Sequence, residues 1–116
     1  VTYVEWGDAS SQEVVVPWTV VSDESSARAF GERLLAEPRK AGGRNAIGQA
    51  LLFGKAQIET NAFEGYRKVI DLSADSANNW NGIPITEARD QVVAAGITIN
   101  GLPILCRFCS GRPVNY

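Results

Sequence analysis

The segment Tyr66–Ala74, YRKVIDLSA, runs directly into Asp75–Gly82, DSANNWNG, and the reading of that junction decides the fold. The first part is β-rich. Its continuous apolar stretch suits a strand covered on both faces, as in a parallel sheet. The second part is crowded with Asp, Ser and Asn, which are turn formers. Beyond it, Ile85–Gly96, ITEARDQVVAAG, reads as a helix with Thr86 as its cap and Gly96 at its C-terminal end. Ile97–Leu105, ITINGLPIL, then reads as a strand. Strand, helix and strand in that order imply a crossover connection and parallel pairing. Open sheets of this kind bind ligands outside the carboxyl ends of their strands. The polar loop after Ala74 therefore stands where function is expected.

Working back toward residue 1, Val1–Trp6 and Glu13–Val21 read as two strands of a hairpin turning at Gly7-Asp8. Pro17 lies within the second strand and cannot donate to a ladder, so that strand is an edge or carries a bulge. Ser22–Pro38 reads as a helix capped by Ser22 or Asp23, with Ala27, Phe30, Leu34 and Leu35 at helical spacing and Pro38 as the stop. Arg39–Arg44 is a loop. Asn45 precedes a helix over residues 46–59, where it serves locally as an N-cap, and Ile47, Leu51, Gly54 and Ile58 share one face. Gly48 and Gly54 weaken that helix and imply close packing against neighbouring backbone. The predicted order is β-β-α-α-β-α-β, an α/β fold with a mostly parallel, doubly wound sheet and one antiparallel edge strand. There are no internal repeats.

Composition narrows the function classes. The 116 residues bound the chain to a single domain at most, and 45% hydrophobic with 21% charged residues is a globular balance. A net charge of −2 argues against nucleic acid or an anionic membrane as partner. The local basic cluster Arg39, Lys40 and Arg44 reads as a solvated loop. No apolar run approaches the ~20 residues that span a bilayer. With no Met in the chain, residue 1 is expected not to be a natural start, and no signal peptide is legible. With no His in the chain, a Ser-His-Asp triad is excluded, as is a His-liganded zinc site. Cys106 and Cys109 form one C-x-x-C, but Gly111 and Pro113 follow where a redox motif would open a helix. A local disulfide or two plain thiols is the expectation there.

Side chains alternate along a strand, which puts Asp71, Ser73 and Asp75 on one side. Asp71, inside the strand, is expected to be partly buried and to need a partner. Asp75, Ser76, Asn78, Asn79 and Asn81 offer hard oxygens at the mouth. That donor chemistry points to magnesium, with manganese or calcium as alternatives. The bland reading is that these residues simply make turns and caps. Trp80 either faces a ligand or packs back onto the domain. Asp71 and Asp75 as a metal-assisted hydrolytic pair is a weaker alternative, since "AGGRNAIG" lacks the ending of a phosphate loop.

The segments VTYVEW, VVVPWTVVSD, GGRNAIGQAL, RKVIDLSAD, ARDQVVAAGITINGLPIL and CSGRPVNY resemble von Willebrand factor A-like domains. The resemblance is specifically to the bacterial branch known as domain of unknown function 1194 (DUF1194), and it runs through essentially the whole chain. It implies a doubly wound sheet and a metal ion-dependent adhesion site assembled from three loops. Asp75 matches the site's last Asp and Asn45 falls where a Thr usually stands, with Ser73 as a further candidate. The Asp-x-Ser-x-Ser element is expected before Val1, and the last helix and strand after Tyr116. Residues 1–116 are accordingly expected to be an interior part of a longer domain. The expected function is non-enzymatic, cation-dependent binding of a protein partner, with a structural remnant as the alternative. A homodimer or strand swap would complete the sheet, and a periplasmic or secreted location is implied by the resemblance.

Overall fold

A computed structural model describes residues 1–104 of the chain. Seven elements appear in the predicted order: β1 (Tyr3–Trp6), β2 (Gln12–Val16), α1 (Glu24–Ala36), α2 (Ile47–Thr60), β3 (Val69–Ala74), α3 (Ile85–Ala94) and β4 (Thr98–Pro103). Cys106 and Cys109 lie outside the described residues.

The strands form two sheets of two strands each. β1 and β2 pair antiparallel, from Trp6 against Gln12 to Tyr3 against Val16, with a bulge between Tyr3 and Val4. β2 ends at Val16, immediately before Pro17, because proline has no amide to continue the ladder. β3 and β4 pair parallel, Val69 against Thr98 through Ala74 against Pro103. This agrees with the strand-helix-strand reading. One continuous sheet is not formed by the described residues: none of their strands lies between β1 and β3.

Helix α2 holds the molecule together. Ile47 and Leu51 are buried, and they cluster with Ala88 and Val92 of α3 and with Ile97; Trp6, Ile58, Ile70 and Ile99 pack around them. The cluster on α2 is therefore packed by residues from both sheets. The expectation of close approach to backbone holds at Gly48, whereas Gly54 faces a side chain instead. A Cβ on Gly48 would overlap the Ile83 carbonyl, and one on Gly54 would press on the Ile70 side chain. Gly96 at φ 78° supplies the left-handed turn that ends α3 and starts the run into β4.

Several local expectations are corrected. α1 is capped by Asp23, whose side chain accepts from the Ser26 amide at 2.7 Å. However, α1 buries no residue, and Leu35 is 87% exposed rather than part of a buried face. α3 begins at Ile85 after Pro84, so Thr86 lies inside the helix and not at its cap. Proline suits a helix start because its missing amide would have been unpaired there. β3 alternates half-buried with exposed residues and is not covered on both faces.

Between β1 and β3 lies an open groove of about 1260 Å³. Every residue from Val1 to Trp6 and from Val69 to Asp75 lines it. Ala50, Gly54 and Ile58 of α2 contribute from one side, and Phe30 of α1 and Trp18 from elsewhere on its wall. The Trp18 indole Nε1 is buried and has no hydrogen-bond partner among the described residues. Among the described residues β1 pairs only with β2 and β3 only with β4, and both β1 and β3 line the groove.

Candidate functional site

The carboxyl end of β3 meets the start of α2, and the sequence-derived site residues divide there. Asn45 and Asp75 come together. The Asn45 Nδ2 donates to the Ser76 Oγ at 2.9 Å and to the Asp75 Oδ1 at 3.4 Å. Residues 30 positions apart are thus joined at one corner.

Asn45 is not the N-cap of α2, as local sequence suggests. The cap position is Ala46, which has no side-chain bond to offer. Asn45 instead uses its carbonyl to accept the Trp80 amide at 2.8 Å, and its side chain reaches the Asp75 loop. One amide of the first turn of α2 is served from outside the helix. The Gly48 amide donates to the Asn79 Oδ1 at 3.1 Å, and the Asn79 Nδ2 donates to the Ile83 carbonyl at 3.0 Å. Ser76 and Asn79 therefore matter more than their spacing signalled. The available signal was the density of Asx and Ser residues in the loop.

The hairpin turn joins the same end. The Ala9 amide donates to the Asn81 Oδ1 at 3.2 Å. The Ala46 amide donates to the Gly7 carbonyl at 2.8 Å. The Asp8 Oδ1 is occupied by the amide and hydroxyl of Ser10, both at 3.0 Å, which closes a local Asx turn.

Ser73 and Asp71 stand further down β3, on the strand face shared with Asp75, and all three line the groove. Asp71 is exposed, not partly buried, and has a cross-strand partner: the Asn100 Nδ2 donates to its Oδ1 at 3.0 Å. Trp80 is 57% exposed and does not fold back into the core. The Arg44 guanidinium sits 4.6 Å from its ring centroid.

The donor set can be weighed against a cation. Asp75 supplies one carboxylate, Ser76 a hydroxyl, and Asn45 an amide whose nitrogen faces the carboxylate. Among the described residues no group of three or more His, Cys, Asp or Glu gathers. Such a set fits a largely hydrated magnesium ion, which needs only one or two carboxylates. It offers neither thiolate nor imidazole, the ligands that structural zinc sites are built from.

The family described as "Protein of unknown function (DUF1194)" matches residues 1–113. The chain belongs to that family. No curated protein and no solved structure matches the chain. No helix among the described residues is long and apolar enough to cross a membrane.

Proposed function

We propose that the chain is a non-enzymatic binding module that acts through its polar loop end on an acidic group of a partner protein, by way of a hydrated divalent cation. The observation that carries this reading is the meeting of Asn45 with Asp75 and Ser76 across 30 residues of sequence. Asp75 is the anionic ligand. Ser76 and Asn45 orient it, and Ser73, lower on the same strand face, reaches the site only through water. The cation, when bound, supplies the positive charge that joins the Asp75 carboxylate to the partner's. The resemblance to von Willebrand factor A-like domains supports the same assignment and an exported location. The two sheets are then halves of one doubly wound sheet, whose gap is filled by a strand from a preceding segment or from a second copy.

Calorimetric titration with magnesium and with manganese tests the reading. Weak heat of binding is expected, lost in Asp75→Ala. Equal heats for both proteins would remove Asp75 from the site.

A second reading, a structural remnant without a working site, is favoured by the thinness of the acidic set among the described residues. It predicts no heat with either ion. The hydrolytic pair has less support, because the Asp71 carboxylate is engaged by Asn100 across the strands.

A further inference from the structure

The loop end carries a second feature that needs no metal. Arg44 is exposed, and its guanidinium lies over the Trp80 ring at 4.6 Å from the centroid. Among the described residues Arg44 makes no ion pair, whereas Arg28 and Arg89 are paired to Glu24 and Asp90. Stacking covers one face of the guanidinium and leaves its rim of N–H donors open. That rim is planar and forked, the geometry that matches a carboxylate with two parallel hydrogen bonds.

The pair is held in place by backbone. The Trp80 amide donates to the Asn45 carbonyl, which fixes residue 80 beside the residue that follows Arg44. An Arg already resting on an aromatic ring has less freedom to lose when a ligand arrives than one extended into solvent. Exposed Trp and Arg are also the residue types that most often anchor protein interfaces. The electrostatics of the corner agree. The first turn of α2 has no acidic residue, and its positive dipole end lies at the same place. Opposing this, Asp75 contributes a negative charge nearby. A net charge of −2 and that carboxylate both disfavour a polyphosphate partner over a single carboxylate.

We propose that Arg44 and Trp80 form a docking shelf for a Glu- or Asp-bearing segment of a partner protein. The guanidinium takes the carboxylate and the indole face takes the methylenes beside it. The proposal rests on the loop end being a protein-binding surface, and it assigns part of that binding to residues outside the cation site.

The test is an NMR titration of the isotope-labelled 116-residue chain with a capped hexaglutamate peptide, in EDTA and then in excess magnesium. In EDTA the Arg44 Nε–H and Trp80 indole signals are expected to shift with hexaglutamate and not with hexaglutamine. Arg44→Lys is expected to weaken binding about fivefold, because lysine keeps the charge but loses the fork. Trp80→Ala weakens it similarly, while Asp75→Asn tightens it in EDTA by removing a repelling charge. The spectrum of each variant reports its folding directly, and both shelf residues are exposed. Binding in EDTA that is indifferent to Arg44→Lys and Trp80→Ala overturns the shelf, as does an equal response to hexaglutamine. An oligonucleotide that shifts the same signals more strongly also overturns the carboxylate assignment. Binding seen only with magnesium, and lost in Asp75→Asn alone, keeps the cation reading and sinks the shelf. Binding that needs Arg44 and ignores magnesium does the reverse.

Discussion

The two parts of the molecule are unequally built. Around α2, α3, β3 and β4, the side chains of Ile47, Leu51, Ala88, Val92 and Ile97 form a buried cluster. Around α1, β1 and β2 fewer of the described apolar side chains are buried: Val15, Val16 and Ala41. α1 itself buries nothing and shows Leu35 to solvent. The difference teaches where cohesion resides. A helix wedged between neighbours contributes packing to the whole, while a helix laid on one short strand contributes mainly its own backbone bonds and its cap. The polar loop end is mounted on the well-packed part through the start of α2 and the end of β3.

The sharpest way to break this contrast is a pair of matched substitutions. Leu51→Ala empties a fully packed site and is expected to cost about 3 kcal/mol by urea unfolding. Leu35→Ala, the same chemical change on α1, is expected to stay within about 0.5 kcal/mol. Comparable losses for both would erase the asymmetry.

Gly48→Ala comes next. Alanine favours helix by about 1 kcal/mol over glycine. Here its methyl meets the Ile83 carbonyl, so a net loss of about 1–2 kcal/mol is expected, because overpacking outweighs propensity. A gain in melting temperature would show that the α2 to Ile83 contact yields easily.

The smallest effect is in the weaker part. Glu5 Oε2 accepts the amides of Lys40 at 2.8 Å and Ala41 at 3.2 Å, which tie the loop after α1 to β1. The Lys40 amide bond is the main cause that holds its carboxyl below the ordinary glutamate value, against partial desolvation that raises it. A depressed folded value stabilises above the unfolded value of 4.5, and that contribution is lost as pH falls through the lower folded value. Glu5→Gln should therefore flatten the pH dependence of unfolding below 4.5, with a loss under about 1 kcal/mol at neutral pH after solvent screening. An unchanged acid limb would detach Glu5 from that tie.

Much of the fold was legible where the signal was local. Asp23 marked the start of α1 and Gly96 the end of α3, whereas β2 stops at Val16 and does not run on through Pro17 to Val21 as its apolar residues suggested. The apolar run at Val69 gave a parallel strand, and Gly48 and Gly54 gave close packing. The failures share a cause. Asn45 looked like a cap because caps are judged from neighbours in sequence, whereas its partners are Asp75 and Ser76. Leu35 sat at helical spacing, but spacing cannot say whether a second layer exists to cover it. The apolar run in β3 suggested cover on two faces, yet the groove leaves Asp71 and Ser73 exposed. Arg44 and Trp80 were each legible as residues of polar loops, but not as a pair, because a ring and a guanidinium 36 positions apart meet only once the Asn45 carbonyl accepts the Trp80 amide.

The dipeptide Asn45–Ala46 is bonded in two directions at once. Its forward amide goes to Gly7, next to the antiparallel pair, and its Asn45 carbonyl goes to Trp80, past the end of the parallel pair. The antiparallel pair and the end of the parallel pair are thus stitched to the same two residues. The rim of the groove and its two walls share that backbone junction, so a substitution that breaks either bond loosens both sides of the groove at their common corner.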